Sequence, residues 1–218
     1  MTFEASPKRP LILLGAGGHA RVLLSTLLEL GRPILGFVEI DDSQKEILGI
    51  GRIGSDEAVL EYDVREVLLV NGIGSTGSVR NRLRAYEFFR ARGYCFESVV
   101  HPSAIIARET VLGDAVQIMA GAILQTGCMV HENCIINTGA RVDHDCVVEA
   151  HAHIAPGAVL CGTVHVGARA HVGAGATIVQ GVHVGPDSMV GAGAVVLCDV
   201  SASCTVVGIP ARPMEVKA

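Results

Sequence analysis

Nine histidines punctuate the 218-residue chain, and His144 is followed directly by an acid, Asp145. An imidazole titrating near pH 6.5 can take a proton from a reacting group at neutral pH. A neighbouring carboxylate can hold its orientation and stabilise the imidazolium. Asn137-Thr138 stand seven residues before this histidine, and His153 stands nine residues after it. An amide and a hydroxyl can hold a polar substrate, and a second imidazole can contact substrate or a carbonyl oxygen. Near the N-terminus, Gly15-Ala16-Gly17-Gly18-His19-Ala20 has the form G-x-G-x-x-G/A. The backbone N–H groups of such a turn can meet a phosphate at a helix N-terminus. A tight strand-to-helix turn with no ligand has the same sequence. Asp41-Asp42 and Asn71-Gly72 follow further apolar runs, at positions where a ligand or plain solvent is the neighbour.

These groups need elements to hold them. LILLGAGGHA reads as a buried strand entering a glycine turn, and ARVLLSTLLEL has helical spacing of apolar residues. PILGFVEIDD is a second strand with an acidic end, followed by a linker, GIGRIG, and a short helix around Ser55–Tyr62. EVLLVNGIGS is a third strand with its own glycine turn, and VRNRLRAYEFFRARG is an amphipathic helix ended by Gly93. Alternating strands and helices predict a small parallel α/β sheet of about four strands, fewer than the six of a full dinucleotide fold.

Beyond about residue 100 a different ruler takes over. Stepping by six from Ile106 to Val196 gives sixteen positions, every one Ile, Leu or Val. Four residues after most of these lies a small residue, among them Ala122, Cys128, Cys134, Ala140 and Cys146. A helix wants a period of 3.6 and a plain strand a period of 2, so a period of six fits neither alone. It fits a coil of short flat strands with one large and one small inward residue per repeat. The ladders explain how a chain with 4% aromatic residues and no tryptophan fills its interior. His144 is the second residue after the ruler position Val142, and His153 the fifth after Val148. Neither belongs to an inward ladder, so both are expected to face out of the coil. His131, His151, His165, His171 and His183 read as decoration of coil surfaces.

Composition narrows the function classes. A net charge of −5 without a Lys/Arg run argues against nucleic acid as a partner. No apolar run is long enough to span a membrane and no secretory signal is visible, so the expected setting is cytoplasmic. Seven cysteines without a CxxC pair signal neither a zinc ribbon nor a redox dithiol, and no metal is expected. Cys128, Cys134 and Cys146 fall on the small inward ladder, away from any base. Cys161 lies off it and stays open as a nucleophile.

GAGGHA, FVEIDD about twenty residues on, NGIG, and HPSA leading into the hexads resemble one family along the whole chain. It is the group of sialic-acid O-acetyltransferases and bacillosamine N-acetyltransferases, with perosamine N-acetyltransferases as the nearest members. The resemblance implies a nucleotide-sugar-binding α/β domain over 1–98 and a left-handed parallel β-helix with a C-terminal tail over 99–218. At about three hexads per coil, the helix would hold about five coils. It also implies an acetyl-CoA-dependent N-acetyltransferase of a homotrimer, acting in glycan or lipopolysaccharide O-antigen biosynthesis. The acceptor would be the 4-amino group of a nucleotide-linked deoxyamino sugar, GDP-perosamine or a UDP-4-amino sugar. In the family pattern His144 is the base and Asp145 its partner. The nucleotide sugar meets Gly15, Gly17, Gly18, His19, Asp41, Asp42, Asn71, Gly72, Asn137, Thr138 and His153. Coenzyme A meets His153, Gly173, Ala174, Gly191, Ala192, Ile209, Pro210 and Arg212. Two other readings stay open: O-acetylation of sialic acid or a related sugar, and a non-catalytic nucleotide-binding solenoid, which would have no need of His144-Asp145.

Overall fold

Leu11–Leu14, four apolar residues in succession, form β1, and all four are buried. In a computed structural model, which describes residues 9–76 and 78–214, the chain divides into two compact units, Met1–Glu97 and Ser98–Ala218. In the first unit β1 runs into α1 (Gly18–Glu29), which buries Ala20, Leu23, Leu24 and Leu27 along one stripe. There follow β2 (Ile34–Val38), β3 (Glu46–Ile47), β4 (Ile50–Gly54), α2 (Asp56–Val59), β5 (Leu68–Asn71) and α3 (Arg80–Arg90). The sheet order is β3-β4-β2-β1-β5, so the chain leaves β1 towards both sides, and the carboxyl end of β1 is a switch point. All neighbours are parallel except β3 and β4.

Two expectations change here. The sheet has five strands, because GIGRIG is not a linker but the far arm of a β3–β4 hairpin. Its two-residue turn, Leu48-Gly49, has positive φ at both positions (50° and 81°), the twist a tight hairpin needs. A leucine in that conformation leaves no signal in the sequence. The helix expected around Ser55–Tyr62 is one turn, Asp56–Val59.

In the second unit two-residue strands stack in parallel with partners eighteen residues on, Ile123 against Arg141 and Arg141 against Val159. One coil is therefore three hexads. The three faces hold six, five and eight strands, the last of the eight antiparallel. From Ile118 to Val196 the sixteen-position ruler lies in the core, while Ile106 and Leu112 in the first coil are only partly covered. The left-handed conformation marks the corners of each coil. It falls on the third residue after the ruler, where Asn133, Asp145 and Thr163 adopt it as well as Gly127. The glycines directly after the ruler answer to packing instead. A Cβ on Gly173 would come within 2.6 Å of the Ala192 nitrogen in the next coil.

Candidate active site

Asp145 occupies one of those left-handed corners, with φ +57°, and this turns its carboxylate back to the preceding side chain. His144 Nδ1 lies 2.9 Å from Asp145 Oδ2, and the His144 backbone N–H donates to Asp143 Oδ1 at 2.8 Å. Both side chains of the pair are solvent-accessible, 45% for His144 and 62% for Asp145. The hydrogen bond to Asp145, helped by the charges of Asp143 and Asp145, raises the His144 pKa above its ordinary 6.5. With Nδ1–H donating to the carboxylate, Nε2 carries the lone pair and is the basic atom.

Two glycines that sequence reading passed over make the seat for this pair. Gly162 lies one coil above His144, and a Cβ there would fall on the edge of the imidazole. Gly127 lies one coil below Asp145, and a Cβ there would fall on its carboxylate. Both are found by adding or subtracting eighteen, the coil length, from the members of the pair.

Asn137, Thr138 and His153 form a second group. Asn137 Oδ1 accepts from the Thr138 backbone N–H at 2.8 Å, which fixes the amide orientation. The Asn137 Nδ2–H then donates to His153 Nε2 across 3.0 Å. His153 departs from the expectation of an outward histidine: it is only 6% exposed. Its ring meets that of His171, one coil on, edge to face at 4.8 Å. Burial lowers the His171 pKa. Two further histidines make side-chain hydrogen bonds, His151 with Asn133 and His165 with Glu149.

The inward cysteines donate their thiols to corner carbonyls, Cys128 to Asp143 at 3.0 Å, Cys134 to Glu149 at 2.9 Å and Cys146 to Cys161 at 3.1 Å. Cys146 is pushed up by its bond to Cys128 and by burial. Cys161 is a half-buried free thiol. Among the described residues, no three His, Cys, Asp or Glu side chains gather as a metal site.

The first unit carries a cleft of about 460 Å³ at the carboxyl ends of its strands, lined by Gly15, Glu39, Asp56, Arg84 and Phe88 among others. Gly15 has φ +88° and donates to the Val38 carbonyl, so the chain turns sharply off β1. No side chain caps α1, and the space around Gly17 and Gly18 is open. His19 packs beside Gly74. One acid at the cleft is Glu39, the first residue past β2 and twenty-two residues after Gly17. Its two oxygens accept from the N–H groups of Ala16 (2.9 Å) and Ile40 (2.8 Å). Asp41 and Asp42 lie beyond it, exposed, and Asp41 holds Ser43 through backbone and side chain, which lowers its pKa. An acid about twenty residues after the glycine turn is the sequence signal that points to Glu39. Asn71 is buried and binds the Arg82 carbonyl at 3.0 Å. A Cβ on Gly72 would meet the Leu14 carbonyl at 2.6 Å, so Asn71 and Gly72 shape the turn after β5.

With this geometry in view, the chain can be set beside known proteins. Residues 109–144 match the bacterial transferase hexapeptide (six repeats) family, and residues 10–87 match the PglD N-terminal domain. No curated protein matches. Among solved structures, PerB from Caulobacter crescentus, in complex with CoA and GDP-perosamine, is 34% identical over 94% of this chain and 97% of that one, with a TM-score of 0.88. The acetyltransferase domain of PglB from Neisseria gonorrhoeae is 34% identical over 95% of this chain and all of its own length (100%), with a TM-score of 0.89. WeeI from Acinetobacter baumannii, at 23% identity over 94% of this chain and 99% of that one and a TM-score of 0.86, shares the fold. The chain belongs to the hexapeptide-repeat nucleotide-sugar acetyltransferases. It is an acetyl-CoA-dependent sugar N-acetyltransferase, and its solenoid is the left-handed parallel β-helix of that family.

The residues expected to meet coenzyme A are placed as follows in this acetyltransferase. Gly173 and Gly191 are pressed against the next coil, the second against Val207 at 2.7 Å for a built Cβ, and so leave a flat surface beside Ala174 and Ala192. Ile209 is 76% exposed, and Pro210 and Arg212 are also on the surface. Flat small residues, an exposed aliphatic side chain and a surface guanidinium suit a pantetheine arm ending in phosphates.

Proposed function

We propose that the enzyme transfers the acetyl group of acetyl-CoA to the 4-amino group of a nucleotide-linked deoxyamino sugar, with GDP-perosamine or a UDP-4-amino sugar as acceptor. The observation that carries the mechanism is His144 held through Nδ1 by Asp145, with Nε2 free for proton transfer in a half-exposed ring. Coenzyme A presents the acetyl group as a thioester. The sugar amine attacks the thioester carbonyl carbon, His144 Nε2 takes the amine proton, and Asp145 stabilises the imidazolium. As the C–S bond breaks, the imidazolium returns that proton to the thiolate. No acyl-enzyme is needed, which agrees with the inward cysteine sulfurs being turned to corner carbonyls of the coil. The first unit supplies the nucleotide site, with the Gly15–Gly18 turn for the diphosphate.

A closed cyclic trimer, with coenzyme A between neighbouring subunits, completes the reading, in the cytoplasm as the setting. No described helix is long and apolar enough to cross a membrane. Thiol release from acetyl-CoA, measured against UDP-, GDP- and dTDP-4-amino sugars, tests the reaction. His144→Asn should keep the fold, since no core side chain is disturbed, and lower kcat about 10²–10⁴-fold. Retention of more than about a tenth of kcat, too much for loss of a general base, would move the role to His153. Light scattering on the active enzyme tests the trimer, and a monomer that turns over would remove the shared site.

A further inference from the structure

The cleft of the first unit holds two acids in different conditions. Glu39 is committed to the N–H groups of Ala16 and Ile40. Asp56 opens α2 directly after β4 and lines the same cleft, half-buried. Among the described residues no hydrogen bond or ion pair engages its carboxylate. Burial, and then the charges of Glu57 and Glu39, push its pKa up. An ionised carboxylate so placed gains from any pair of donors that enters the cleft.

The order of the strands says what would enter. β4, β2 and β1 are neighbours, so the Gly15 turn, Glu39 and Asp56 follow one another along the carboxyl edge of the sheet. Two strand spacings, about 10 Å, separate the first from the last. Those three stations match the diphosphate, ribose and base of one nucleoside diphosphate. Phe88, on α3, also lines the cleft, with the Arg92 guanidinium stacked 3.5 Å from its ring centre.

We propose that Asp56 reads the base, accepting from N1–H and the N2 amine of guanine, so that the cleft selects a guanosine-diphosphate sugar. A carboxylate is an acceptor with two parallel oxygens, and among the common bases only guanine puts two donors side by side on its Watson–Crick edge. Uracil and thymine offer one N–H between two carbonyl oxygens, which would face the carboxylate charge. Adenine and cytosine pair their amine with a ring-nitrogen lone pair.

This inference rests on the nucleotide-sugar reading, and equilibrium binding separates the two. Calorimetry of the whole enzyme with GDP, UDP, dTDP and ADP, without acetyl-CoA, needs no turnover. GDP is expected to bind at least about tenfold tighter than the others, the scale of hydrogen bonds to a charged group. Asp56→Asn, which keeps the shape but turns one acceptor into a donor, should weaken GDP about 10- to 100-fold and change UDP less than about threefold. Equal binding of all four, or a GDP preference that survives Asp56→Asn, overturns the role of Asp56 and leaves a nucleotide site without base choice. If none of the four binds, the nucleotide reading of the unit itself fails.

Discussion

Replacing Gly162 by alanine puts one methyl group where the His144 imidazole lies. Built on the observed backbone, that Cβ overlaps the His144 ring along Nε2 and Cε1, with Cδ2 at 3.0 Å. Carbon atoms rest at about 3.5–4.0 Å, so the ring must move by about 1 Å or more. The backbone has no reason to resist: Gly162 is absent from the positive-φ positions, and the ring it displaces is half-exposed. Stability should therefore change by less than about 1 kcal/mol, with some gain from a stiffer unfolded chain. A misplacement of 1 Å can cost about 10²-fold in rate. The expected result for Gly162→Ala is a fall in kcat of about 10²-fold, with the KM for acetyl-CoA little changed and an unaltered melting curve. Placed in the His144→Asn background, the same methyl should cost less than about threefold, because the group it displaces is already gone and coupled sites are not additive. Thiol-release kinetics on the four proteins of this cycle, with circular dichroism for folding, decide the matter. If Gly162→Ala alone keeps more than about a third of kcat, where misplacement of a base predicts a far larger loss, His144 does not work from the position seen here.

Asp145→Asn tests the electrostatics. His144 must be neutral to act as a base, and Asp145 raises its pKa above 6.5, so the acidic limb of kcat/KM should lie above that value in the wild type and move down in the variant. A limb that stays in place would detach Asp145 from the base. Gly17→Val tests the diphosphate turn: Gly17 has φ −72° and open space, so valine fits the free enzyme. It should raise the KM of the nucleotide sugar about tenfold or more by blocking close approach, leaving that of acetyl-CoA near normal. An equal loss for both substrates would refute it. Arg82 is buried and donates to the carbonyls of Asn71 and Ile73, each at 2.9 Å. Arg82→Met leaves both acceptors unsatisfied and should cost about 3 kcal/mol, read as a lower urea midpoint. An unchanged midpoint would show the turn after β5 to be held by other contacts.

Much of this enzyme was legible in one dimension because a solenoid repeats its own address. The aliphatic ruler from Ile106 to Val196 announces the coil, and the same count places His144 outside its core. The adjacency of His144 and Asp145 made them a candidate pair without any fold. Their seat was not legible. Gly162 and Gly127 become neighbours of the pair only once a coil is known to take eighteen residues, since backbone stacking then brings i and i+18 together. His153 shows the same limit. Its position before the ruler residue Ile154 points its side chain off the axis, yet the next coil sets His171 against it and Asn137 covers its Nε2. Direction is a property of the strand, whereas burial depends on what the neighbouring coil brings. In the first unit the glycine turn could be read directly, because only that spacing serves a tight strand-to-helix entry. The choice between Glu39 and Asp41 could not, because it depends on β2 ending at Val38 and pairing with β4. The sequence determined the periodicities and the reactive residue types. The tertiary structure decided which glycines make room, which acids face the cleft and which histidine is covered, because each of those depends on contact between residues far apart in the chain.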